Sequence, residues 1–106
     1  MIQNYTHNNR SDANGNPAGG SAIATGITIA WQDGPLGRGT ERNEPNGAFV
    51  ETVIAIAKER LEFYQASRFT SPYNARAINA LETALSTLNA RTQEREVRAV
   101  EGTHAE

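Results

Sequence analysis

No cysteine occurs in the 106-residue chain, which excludes disulfides and thiolate metal sites. Histidine is nearly as scarce, since His7 and His104 are the only two, and no metal or other cofactor is expected. Lysine and arginine number 10 together against 12 aspartates and glutamates, so the broad basic field that holds polymeric nucleic acid is missing and any anion site has to be local. No apolar run approaches the roughly 18 residues of a membrane span. The opening MIQNYTHNNR also lacks the basic-then-apolar order of a signal peptide, and the expected location is cytoplasmic. A chain of 11.5 kDa reads as one small domain whose own core supplies modest stability, for which oligomer formation is a natural remedy.

Aliphatic side chains are almost absent from residues 1–20, MIQNYTHNNRSDANGNPAGG. Such a segment buries too little surface to offset the entropy of ordering, and a flexible arm is expected there. From Ala22 to Gln32 the pattern changes: Ile23, Thr25, Ile27, Ile29 and Trp31 alternate with Ala22, Ala24, Gly26, Thr28 and Ala30. That period of two predicts one half-buried strand, with Trp31 in the core or an interface. DGPLGRGTERNEPNG, residues 33–47, carries four glycines and two prolines and reads as a long loop.

The remainder is helical. Phe49, Val50, Val53, Ile54, Ala57, Leu61 and Tyr64 recur at three-to-four spacing, which predicts an amphipathic helix from Ala48 to about Arg68. Ser71-Pro72 supplies a cap and a proline suited to the first helical position, so a second helix is expected from Pro72 to about Arg98. Its apolar line is Ile78, Leu81, Leu85 and Leu88, the seam of an antiparallel pairing. Two helices and one or two strands do not enclose a core, so Ile54, Ile56, Leu61, Leu81 and Leu85 are expected to meet a second copy of the chain. The organisation is thus one domain with an arm (1–20), a strand and loop (21–47), a helical hairpin (48–98) and a C-terminal tail (99–106).

Arg91 and Arg95 are four apart on the second helix and share a face. Two guanidiniums so placed can hold a phosphate or stack on a base; with Glu94, Glu96 and Arg98 around them, they equally describe a solvated helix end that complements the dipole. Tyr64 ends the first helix and Asn74 opens the second, so the hairpin brings them to the same end. An aromatic face and an amide suit a purine or ribose, although Tyr64 also completes the core line and Asn74 also suits a helix start. Arg91 and Arg95 lie about 26 to 32 Å from Asn74 at ~1.5 Å rise per residue, so a site made of all four needs arginines from another subunit. GPLGRGT lacks the spacing and the lysine of a phosphate-binding P-loop. No catalytic set stands out, because both histidines lie in the arm and the tail.

Together, WQDGPLGRG, NGAFVETVI, LEFYQ and the run from Arg91 to His104, RTxxRExRxVEGTH, resemble the phage-encoded Thoeris anti-defence 1 proteins, which share a helical-hairpin domain with phage anti-CBASS nucleotide sponges. The likeness spans about residues 15 to 106. It implies an α+β fold with a small N-terminal antiparallel β part and a long antiparallel two-helix hairpin, assembled as a homo-oligomer, either a dimer or a hexamer built from dimers. It also implies a non-enzymatic sponge in the cytoplasm of the infected host. Such a sponge would sequester glycocyclic ADP-ribose, and in some members cyclic di- or trinucleotides, in a pocket shared between subunits. The resemblance assigns ligand binding to Tyr64, Asn74, Arg91 and Arg95, and a second site to Arg38, Gly102, Thr103 and His104. Two rivals come from other classes: an enzyme that degrades such a signal, and a helical-hairpin structural or regulatory protein with no small ligand.

Overall fold

The computed structural model describes residues 4–98 and Thr103. The chain divides into two compact units, one containing the sheet and the loop that follows it, the other Val50–Arg98. In chain order the elements are β1 (Thr6–Ser11), β2 (Pro17–Ala24), β3 (Ile27–Asp33), a 3-10 turn (Gly39–Glu41), α1 (Val50–Gln65) and α2 (Pro72–Val97). The fold class is α+β.

The sheet is antiparallel in the order β1-β2-β3 and occupies much of the segment expected to be an arm. What orders so polar a strand as THNNRS is its turn. The Asp12 carboxylate accepts the backbone N–H of Asn14 at 2.8 Å and of Asn16 at 3.0 Å, and Gly15 takes a φ of 81°, an Asx-type turn that returns the chain onto β1. Register slips by one between Asn9 and Ser11, opposite Gly19 and Gly20, whose φ values of 80° and 141° mark a bulge.

The single strand expected over Ala22–Gln32 is a hairpin turned at Thr25-Gly26, with Ala24 opposite Ile27 and Gly26 at a φ of 78°. A two-residue turn keeps the odd-even alternation running in sequence while reversing it in space, because antiparallel partners then pair odd with even positions. Ile27 and Ile29 therefore share a face with Ala24 and Ala22, and Ile23 lies across from Thr28 on the other face. Tyr5 helps line an apolar hollow with Ala22, Ile23, Ala24, Ile27 and Ile29.

After β3 the loop closes through an amide clasp. Gln32 Oε1 accepts the N–H of Asn46 at 2.9 Å and of Gly47 at 3.2 Å, while the Asn46 side chain accepts from Asp33 N and donates to Asp33 O at 2.8 and 3.0 Å. A parallel bridge, Trp31 with Ala48, continues the clasp. A Cβ on Gly47 would stand 2.5 Å from the Trp31 carbonyl, so this approach admits no side chain. The WQD and NGA motifs are thus accounted for as the two halves of one backbone fastening.

In the helical unit, α1 ends at Gln65, three residues before the expected Arg68. Ser67 takes over: its Oγ donates to Tyr64 O at 2.6 Å and accepts from Phe69 N at 3.1 Å, a local alternative to the helix ladder. Ser71 caps α2 by accepting Asn74 N at 3.0 Å, with Pro72 at the first turn. Gln65 fastens the connection, donating to Ser71 O at 3.0 Å and accepting from Ser71 N at 2.9 Å. Gln65→Ala removes a donor and an acceptor from a half-buried pair and should cost about 1 to 3 kcal/mol, read as a lowered thermal midpoint of the helical signal.

Lys58 joins the helices on the outside, 3.3 Å from Glu62 on α1 and 3.4 Å from Glu82 on α2. The hydrogen bond to Glu62 raises the Lys58 pKa above the ordinary lysine value. Val53, Ile54, Leu61, Ile78, Leu81, Leu85 and Leu88 are all half-buried, and Ile56 is 64% exposed. Among the described residues no hydrophobic side chain in the chain is fully buried.

Candidate functional site

The connected end of the helical hairpin concentrates the residues suited to a planar, anionic ligand. From Phe63 to Leu81 the sequence has no acidic residue but carries Arg68 and Arg76 and four aromatics. The N-terminus of α2 adds the positive end of its dipole.

Tyr64 and Asn74 do come to this end together. Their link is a chain of hydrogen bonds through the loop: Tyr64 O accepts from Ser67 Oγ, Ser67 Oγ accepts from Phe69 N, and Phe69 O accepts from Asn74 Nδ2 at 3.1 Å. Asn74 thus does structural work with one amide hydrogen, while its Oδ1 makes no hydrogen bond among the described residues and can accept one. The Tyr64 ring is 37% exposed and Phe63 57%, with ring centroids 6.1 Å apart and planes tilted by 59°.

Three arginines at this end are not marked out by the sequence pattern alone. Arg60 lies 4.8 Å from the Phe63 ring centroid and 4.9 Å from that of Tyr64. Arg68 stacks on Phe69 at 4.9 Å and Arg76 on Tyr73 at 4.8 Å, with Phe69 63% and Tyr73 75% exposed. The legible signal was the spacing, since Arg60 precedes Phe63 by three and Tyr64 by four, which brings a long side chain across both rings on one helical face. Cations, ring faces and amides of this kind can stack a base and hold phosphates. Among the described residues no group of His, Asp or Glu gathers as a metal site.

Arg91 and Arg95 sit at the far end of α2. Arg91 is exposed and Arg95 half-buried, and Arg98 beyond them pairs with Glu94. One protomer leaves this pair about 26 to 32 Å along the helix from Asn74. Of the second group, Arg38 is exposed at the start of the 3-10 turn and Thr103 is half-buried, while Gly102 and His104 lie outside the described residues.

The family described as Acb2/Tad1, hairpin domain, matches residues 24–93. The chain belongs to the Acb2/Tad1 hairpin-domain family. It is also 48% identical over 77 residues to Thoeris anti-defense 1 of Bacillus phage SBSphiJ7. That alignment covers 73% of this chain and 51% of the relative, so the chain spans about half the length of the curated relative it matches. The Acb2/Tad1 match takes in the Gln32–Asn46 clasp, the whole aromatic end of the hairpin and Arg91, and stops short of Arg95.

Proposed function

We propose that this chain is a phage anti-defence sponge: it binds a cyclic nucleotide immune signal, glycocyclic ADP-ribose foremost, and withholds it from a host effector without cleaving it. The observation that carries this reading is the acid-free end of the hairpin, where Tyr64 and Asn74 are tied together beside exposed rings and stacked arginines. Membership of the Acb2/Tad1 family and likeness to a protein named for Thoeris anti-defence support it. Sequestration needs complementary contacts and slow release, not a general base, which suits a site of guanidiniums, rings and amides.

In this reading Tyr64 stacks the adenine, Asn74 Oδ1 accepts from the ligand, and the Arg91–Arg95 pair of a second copy holds the phosphates. The helix length separating that pair from Asn74 is the reason for the second copy. The half-buried apolar line of the hairpin supports the same assembly, because Leu81, Leu85 and Ile54 bury fully only against another surface. A dimer is the smallest assembly that completes the pocket, and a hexamer would repeat it. Arg38, Gly102, Thr103 and His104 are proposed as a separate site for cyclic di- or trinucleotides of CBASS signalling. The protein would act in the cytoplasm of the infected bacterium.

Calorimetric titration with glycocyclic ADP-ribose and a panel of cyclic di- and trinucleotides tests the reading. Saturable heat with at least one of them is expected. No heat with any would overturn it in favour of a structural or regulatory hairpin protein.

A further inference from the structure

We infer that Arg60 is a specificity-determining residue of the hairpin end: it covers one face of Tyr64, leaving the other for a purine, and sets a positive charge beside the stacked base for that ligand's phosphates. The inference rests on the functional reading above and gives a role to Arg60, to which that reading assigns none of its own. Its guanidinium stands almost equally far, 4.8 and 4.9 Å, from the centroids of Phe63 and Tyr64, seated between two rings tilted by 59°. Two ring faces hold a planar guanidinium in one orientation and spare part of the entropy that a free arginine loses on binding.

The surrounding charges favour an anion at this point. A carboxylate partner would neutralise the guanidinium, whereas an aromatic face leaves its charge and its edge N–H donors available. The positions three and four residues to either side of Arg60 are Ile56, Ala57, Phe63 and Tyr64, none of them acidic, and Glu62 is engaged by Lys58 at 3.3 Å, as is Glu82 at 3.4 Å. Among the described residues Arg60 makes no ion pair of its own. A base stacked on Tyr64 would therefore lie within reach of a fixed, uncompensated cation supplied by the same protomer. An uncharged nucleoside would gain little from it, and a diphosphate-bearing ligand a great deal.

The test compares the wild-type chain with Arg60→Gln and Arg60→Lys, titrating glycocyclic ADP-ribose at several salt concentrations and recording each thermal midpoint. Arg60→Gln should lose on the order of tenfold in affinity and show a shallower dependence on salt, with the midpoint unchanged. Arg60→Lys keeps the charge without the planar stack, and should retain the wild-type salt dependence and recover part of the affinity. Wild-type affinity in Arg60→Gln, a loss with wild-type salt dependence, or an Arg60→Lys variant no better than Arg60→Gln would each overturn the inference. Failure of the wild-type chain to bind at all would instead bring down the functional reading beneath it.

Discussion

Gly20→Ala should detach β1 from the sheet and is expected to be the most damaging single-methyl change in the β unit. A Cβ at this position would stand 2.1 Å from the carbonyl oxygen of Asn8 and 3.1 Å from the Asn9 Cα, and both contacts are backbone, so no side chain can swing aside. The φ of 141° is itself a conformation that L residues rarely hold, costing about 1 to 3 kcal/mol before any clash. Relief is possible only by moving β1, whose own side chains are all exposed and contribute little burial to resist the move. Hydrogen exchange would read the result, with protection lost across Thr6–Ser11 and retained in α1 and α2. Unchanged protection in β1 would show that the strand tolerates the displacement.

The second large effect belongs to the arginine pair. Arg91→Ala and Arg95→Ala should each weaken glycocyclic ADP-ribose binding by about 1.5 to 3 kcal/mol, the loss of a charge-assisted hydrogen bond, or roughly 10- to 150-fold. Exposure of Arg91 on the free helix means that its removal should leave the thermal midpoint of the chain nearly unchanged. Mixing a double Arg91→Ala/Arg95→Ala chain with a Tyr64→Ala/Asn74→Ala chain tests whether one pocket draws on two copies. If the pocket is shared between copies, mixed assemblies should regain part of the binding that either variant lacks alone, whereas a pocket built within one protomer would gain nothing.

The helices were legible because their cues are local. Three-to-four spacing of Val53, Ile54, Leu61 and Tyr64 and the Ser71-Pro72 start placed both elements, and the cap geometry explains why α2 begins where it does. The end of α1 was read too far because Ser67 competes for Tyr64 O, a side-chain effect that apolar periodicity does not register. The sheet was hidden for two different reasons. In β1 the ordering comes from the Asp12 turn and from pairing with β2 rather than from apolar alternation. In β2 and β3 the two-residue turn preserved the alternation and so concealed the reversal.

The site divides in the same way. Hairpin connectivity alone placed Tyr64 near Asn74, and helix length alone kept Arg91 and Arg95 away from them. Arg60, Arg68 and Arg76 are not legible because single exposed arginines look like a solvated surface; what distinguishes them is the rings they cover. The motifs that carried the family likeness turn out to hold different jobs. WQD and NGA build a fastening, LEFYQ supplies both the ring of Tyr64 and the Gln65 clasp, and the arginines of the last run remain as ligand groups in the proposed pocket.

A ligand that is sequestered and not cleaved should be recoverable intact. The protein is saturated with glycocyclic ADP-ribose, freed of unbound ligand, heated to unfold it, and the released compound is identified by chromatography and mass. Stoichiometric return of the intact cyclic molecule is the expected result, and recovery of a linear or otherwise converted product would contradict the account.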